Sequence, residues 1–117
     1  MSCGTVMAGL VPAIHVLKII SMKTGWVYIM TNRANGTLYV GVTSDLVRRA
    51  HEHRTGAIPG FTKRYGLKKL VYFEEHENIY LAIQREHNMK HWSRTWKVRL
   101  ILRENPQWRD LFPEIAA

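Results

Sequence analysis

Two runs of strand-forming residues, Trp26 to Arg33 and Thr37 to Thr43, flank Asn35-Gly36. Asn-Gly suits the two positive-φ positions of the type I′ turn that closes a two-residue hairpin. That turn sets a register of Asn32 opposite Tyr39, Met30 opposite Gly41 and Tyr28 opposite Thr43. Strand side chains alternate faces, so Val27, Ile29, Leu38, Val40 and Val42 share one apolar face that should meet a core. Tyr28, Tyr39 and Gly41 share the other face.

Downstream, the period changes from two to about 3.6. Ser44 or Asp45 caps a helix to His53 or Thr55, and Gly56, Pro59 and Gly60 mark a loop. Lys68 to Glu74 reads as a third strand. Asn78 starts a second helix to about Trp92, with Ile79, Ala82, Ile83, Glu86, Met89 and Lys90 along one stripe. Ser93 caps a third over Arg94 to Arg103, turning Val98, Ile101 and Leu102 inward, and Asn105-Pro106 ends it. The tail packs back through Trp108, Leu111 and Phe112. The order is β-β-α-β-α-α, an α+β domain around an antiparallel sheet.

The first 22 residues read as an N-terminal extension, flexible or a short helix, ahead of a domain spanning 23–117. Val6 to Ile20 is mostly apolar but is broken by Pro12, His15 and Lys18, short of the ~20 clean apolar residues of a membrane span. Lys18 and Lys23 follow the apolar run, whereas a secretory signal carries its charge in front. No membrane partner and a cytoplasmic location are therefore expected, and liposome flotation of the full chain against one starting at Met22 separates a membrane-peripheral or protein-interaction role.

Composition narrows the chemistry. At 117 residues the chain suits one domain. Lys and Arg number 17 against 9 Asp and Glu, a net charge of +8, which makes nucleic acid the leading partner class. One cysteine, Cys3, excludes an internal disulfide and a cysteine zinc site. His, Tyr, Arg and carboxylates must do the work.

Four constellations qualify. Arg49 and His53 lie four apart on one helix face, a guanidinium fork beside a group that titrates near neutrality; a solvated basic face, with Arg48, His51 and Arg54, is the plainer alternative. Tyr28 and Tyr39 share a hairpin face, as packing aromatics or as phenols aimed at a phosphate or a water. Glu86 interrupts an apolar stripe, so it is paired with Lys90 four residues on, exposed at the stripe's edge, or bound to a metal. Mg²⁺ needs only one or two protein carboxylates beside waters and phosphate. Between Leu46 and Lys69 stand seven basic residues (Arg48, Arg49, Arg54, Lys63, Arg64, Lys68, Lys69) against Glu52 alone, with Phe61 and Tyr65 among them. Basic side chains interleaved with aromatics suit a phosphate backbone and exposed bases.

Together these residues resemble the GIY-YIG nuclease superfamily, over Trp26 to about Leu111. Trp26-Val27-Tyr28 and Tyr39-Val40-Gly41 stand as the two motif halves, with ten residues between Tyr28 and Tyr39. Thr43-Ser44-Asp45-Leu46, Arg49 and His53 follow in order. Gly60-Phe61-Thr62-Lys63-Arg64-Tyr65-Gly66, Leu70-Val71-Tyr72-Phe73-Glu74, Ala82-Ile83-Gln84-Arg85-Glu86, Lys90-His91-Trp92 and Asn105-Pro106-Gln107-Trp108 resemble its small stand-alone bacterial branch. Trp26 replaces the motif's first Gly, Val27 and Val40 replace Ile, and Val42 stands where excision-repair relatives carry Lys.

The resemblance implies a three-stranded antiparallel sheet flanked by about three helices, and metal-dependent phosphodiester hydrolysis. By position, Tyr28 and Tyr39 are the motif tyrosines, Arg49 the motif arginine, His53 the helix histidine and Glu86 the metal ligand. The expected mechanism has one Mg²⁺ or Mn²⁺ on Glu86, Arg49 stabilising phosphoryl charge, and Tyr28 as base with its pKa lowered by metal or arginine. Tyr39 orients water or phosphate, and His53 assists Tyr28 or binds phosphate. Arg48, Arg54, Lys63, Arg64, Lys68 and Lys90 are the expected nucleic-acid contacts. The expected substrate is DNA, duplex, single-stranded, flap or branched, cut with low sequence specificity or by structure, with RNA open and the process (repair, recombination or defence) unassigned. A monomer or weak dimer, with or without a targeting protein, is expected; a non-catalytic nucleic-acid-binding module is the alternative.

Overall fold

A computed structural model describes residues 24–117, and the extension expected over 1–22 lies outside the described residues. Three antiparallel strands, β1 (Gly25–Thr31), β2 (Leu38–Thr43) and β3 (Lys69–His76), form one sheet in the order β2-β1-β3. The helices are α1 (Leu46–Thr55), α2 (Phe61–Arg64), α3 (Ile79–Lys90), α4 (Arg94–Glu104) and α5 (Phe112–Ala116). The α+β class and the three-stranded sheet are as expected; the helix count is five among the described residues rather than three. The two additions, α2 and α5, span only 4 and 5 residues, too short to leave a periodic stripe.

Capping sets the helix starts. Asp45 accepts from the Arg48 amide, Asn78 from Leu81 and Ser93 from Trp96. Gly56 closes α1 at φ 73°, a left-handed position that glycine occupies without strain.

The hairpin register is two residues away from the one the Asn-Gly turn suggests. Tyr28 faces Gly41 and Met30 faces Tyr39. Arg33 O accepts from the Gly36 amide at 2.8 Å, and Asn32 Oδ1 accepts from the Thr37 amide at 3.1 Å. The Asn32 side chain thus replaces a ladder bond, and pairing begins at Thr31 and Leu38. An even shift leaves every side chain on its expected face.

Both faces of the sheet are covered, where one core was expected. On one side Val27, Ile29 and Val40 meet Ala82 and Met89 of α3 and Leu100 and Ile101 of α4. On the other, Tyr28 and Met30 pack with Leu46, Ala50, Leu67, Leu70 and Leu111. In α4 it is Leu100, not Leu102, that joins Ile101 inside, and Leu102 is exposed. Glu74, mostly enclosed on β3, accepts from Tyr72 Oη at 2.5 Å and pairs with Arg85 at 2.8 Å and with His76 at 2.6 Å. Burial works against its charge, yet Arg85, Tyr72 and His76 hold the carboxyl below its ordinary value.

Strand β3 carries a bulge: Ile29 pairs with Tyr72 and Met30 with Leu70, which leaves Val71 between them. Asn105, itself buried, donates to the Val71 carbonyl at 3.1 Å and to Arg109 O at 2.8 Å. The Leu111 amide donates to Leu70 O at 2.7 Å, and Asp110 Oδ1 accepts from the Leu70 amide at 3.1 Å. The tail therefore covers the exposed edge of β3. Asn105→Ala leaves buried carbonyls unpaired and should cost about 2–3 kcal/mol, read as a lower denaturant midpoint with an unchanged slope. Among the described residues no helix is long and apolar enough to cross a membrane.

Candidate active site

Tyr28 rises from the middle strand into the second core, 1% exposed. Its cross-strand partner is Gly41, and a Cβ there would collide with the Tyr28 ring and hydroxyl. The second motif half ends in glycine because the phenol lies over that backbone.

Helix α1 presents its inward face to the same ring. His53 Nε2 lies 2.9 Å from Tyr28 Oη, and Nδ1 lies 3.0 Å from Thr62 Oγ1 of α2. His53 is 3% exposed and Thr62 4%. Both ring nitrogens are occupied. Thr62 was not singled out from the sequence; its contact crosses a loop and leaves no spacing signal.

Tyr39 joins the strands, the helix and the loop. Its ring centroid stands 6.4 Å from Tyr28, 5.7 Å from His53 and 6.3 Å from Phe61, and Lys90 Nζ lies 5.5 Å over it. Lys90 pairs at 2.8 Å with Glu86, whose side chain is 14% exposed. Arg49, from α1, pairs with Glu52 at 3.3 Å and stands beside the Tyr28 hydroxyl.

Burial drives the Tyr28 phenol above its ordinary value, Tyr39 adds to the push, Arg49 pulls the other way and Glu86 pushes it up again. The lowering expected from arginine is thus outweighed by desolvation. Burial also takes His53 down to about 4, with Arg49 adding to the effect and Glu52 opposing it. The imidazole is neutral at pH 7.

That shift has a sign in stability. The unfolded imidazole takes its proton near pH 6.5 and the folded one only near 4, so unfolding takes up a proton between the two. Stability is full above 6.5 and falls as pH drops toward 4, by about 3 kcal/mol from this group. Melts at pH 7 and 4.5 should show the loss, and His53→Gln should shrink the difference between them.

The expected phosphate contacts divide. Lys63 and Arg64 are exposed beside Phe61 and Tyr65, whose rings are 46% and 49% exposed. Phe61 and Tyr65 stand 4.7 Å apart and continue the Tyr39 stack, and Arg64 lies 5.7 Å over Tyr65. Pro59, Gly60, Phe61, Lys63, Arg64 and Tyr65 line an open groove of about 700 Å³. Arg48 is exposed and pairs with Glu52, and Lys68 is exposed before β3. Arg54 is occupied elsewhere: it pairs with Asp110 and lies 4.7 Å over Phe112, fastening α1 to the tail. A guanidinium held by an acid and a ring offers little to a phosphate.

No group of three or more His, Cys, Asp or Glu suited to a metal occurs among the described residues. The donor set fits a cation that needs a single carboxylate: Lys90 engages Glu86 Oε2, and the other carboxylate oxygen suits Mg²⁺ completed by waters and phosphate.

Residues 24–99 match the GIY-YIG catalytic domain. A UPF0213 protein of Natronomonas pharaonis is 37% identical over 79 residues, 68% of this chain and 92% of that one. A UPF0213 protein of Clostridium perfringens is 38% identical over 76 residues, 65% of this chain and 81% of that one. The solution NMR structure of a UPF0213 protein from Bacillus halodurans is 28% identical, covering 74% of this chain and 92% of its own, with a TM-score of 0.47.

Proposed function

The chain belongs to the GIY-YIG family, and from that premise we propose that it is an endonuclease hydrolysing DNA phosphodiesters with one divalent cation, Mg²⁺ or Mn²⁺. The observation that carries the reading is the buried Tyr28 hydroxyl bonded to His53, with Arg49 beside it and Glu86 close enough to act on it by charge. Structural packing alone does not call for a guanidinium and an imidazole at one buried phenol within the field of an acid.

Glu86 would hold the cation, which would supply Lewis-acid stabilisation of the phosphate. Arg49 stabilises the charge that grows on the phosphoryl oxygens. Tyr28, once it has given its own proton to solvent, accepts a proton from the attacking water. His53, whose ring nitrogens are both engaged, assists Tyr28 rather than binding phosphate. Tyr39 positions water or phosphate. Lys63 and Arg64 hold the strand by its phosphates, contacts that carry no sequence information, which favours low sequence specificity or selection by DNA shape.

A non-catalytic nucleic-acid-binding module is the second reading, and the Lys90–Glu86 pair favours it by neutralising the acid. The deciding experiment incubates the purified chain and Glu86→Ala with labelled single-stranded, duplex, flap and branched DNAs in Mg²⁺ and Mn²⁺. Cleavage by the parent alone supports the nuclease. Salt-sensitive binding with no cleavage in either metal leaves the binding module.

A further inference from the structure

We infer that Lys90 holds the Glu86 carboxylate in reserve and passes to a substrate phosphate when the divalent cation takes that carboxylate, so that metal and nucleic acid bind cooperatively. The inference rests on the nuclease reading and adds the regulation of its metal site. Lys90 Nζ lies 2.8 Å from Glu86 Oε2 and 5.5 Å over the ring of Tyr39, the residue proposed to position water or phosphate. Among the described residues Glu86 is the only acid paired with Lys90.

The two partners are unequally exposed: the Glu86 side chain 14%, that of Lys90 47%. A carboxylate so enclosed is costly without a compensating charge, and Lys90 supplies it in the metal-free protein. The ammonium can swing into solvent. A divalent cation on the free Glu86 oxygen, at a metal–oxygen distance of ~2.1 Å, would stand ~4–5 Å from the ammonium, and like charges that close repel. Glu86 therefore serves one cation well and two badly. A displaced Lys90 has a destination near at hand, because a lysine is a mobile point charge suited to phosphate and it already stands over Tyr39. Arg54 shows the contrast. Its acid, Asp110, also accepts from the Leu70 amide, so that grip belongs to the fold. The exchange of partners is reciprocal. A phosphate that draws off Lys90 leaves Glu86 readier for the ion, and the ion raises the affinity for phosphate by the same factor. Lys90 thus keeps the metal site weak until a nucleic acid arrives.

Electron paramagnetic resonance of Mn²⁺ titrated into the full chain, without nucleic acid, measures the affinity independently of cleavage. Glu86→Gln identifies the part of the binding that belongs to Glu86. Lys90→Met, which keeps an aliphatic stem over Tyr39, should tighten that part about 10-fold, and Lys90→Arg should leave it near the parent value. Unchanged or weaker Mn²⁺ binding in Lys90→Met, shown folded by a melt, overturns the inference while the metal role of Glu86 stands. A second measurement needs no Lys90→Met protein. Reductive ¹³C-methylation keeps lysines charged, and the Lys90 methyl signal is identified by its absence in Lys90→Arg. Mg²⁺ with a nuclease-resistant phosphorothioate oligonucleotide should move that signal away from its position in the free chain. A signal that stays in place with both bound overturns the transfer. Absence of Glu86-dependent Mn²⁺ binding from both the parent and Lys90→Met overturns the inference together with the metal role of Glu86.

Discussion

Tyr28→Phe should lower cleavage by about 10²–10⁴-fold, the range that a general base contributes. The substitution removes one oxygen and keeps the ring over Gly41, in contact with Tyr39 and His53. It also deprives His53 Nε2 of its partner, at about 1–3 kcal/mol of stability, which leaves a folded protein for the assay. Lys63, Arg64 and the Phe61–Tyr65 pair are untouched, so nucleic-acid affinity stays near the parent value. Single-turnover cleavage with saturating enzyme, beside filter binding at the same salt, separates the two effects. Cleavage at the parent rate removes Tyr28 from the role of base.

Glu86→Ala should abolish metal-dependent cleavage without weakening binding. The acid is mostly enclosed, lies against a lysine and presses on the Tyr28 phenol. Its loss removes the carboxylate proposed to hold the cation and releases Lys90, whose pKa it holds up. The site becomes more positive, so DNA affinity should hold or rise, with a steeper dependence on salt. A drop in affinity together with activity points to misfolding, which a melt detects. Retained cleavage with the parent Mg²⁺ dependence takes Glu86 out of the metal role.

The sequence made the faces of the hairpin legible but not its register. Alternation fixes which side each residue takes, whereas Asn32 decides by a side-chain bond to the Thr37 amide where pairing begins. The Glu86–Lys90 pair was legible from four-residue spacing, which puts both on one helix face. The second core was not, because Leu46, Leu67, Leu70 and Leu111 come from four separate segments and form no stripe. Nor was the fate of Arg54, whose partner Asp110 stands 56 residues away. Charge counting finds basic residues; it does not find which of them an acid has already taken.

Trp108, Asp110 and Leu111 lie beyond the residues that match the family domain, yet they hold parts of it together. Asp110 grips Arg54 on the helix that also presents Arg49 and His53, and with the same carboxylate it grips the backbone of Leu70. Tension on the C-terminus therefore reaches the guanidinium and the imidazole through one acid. A chain cut at the family boundary would keep every motif residue and lose the buckle that keeps their helix in place.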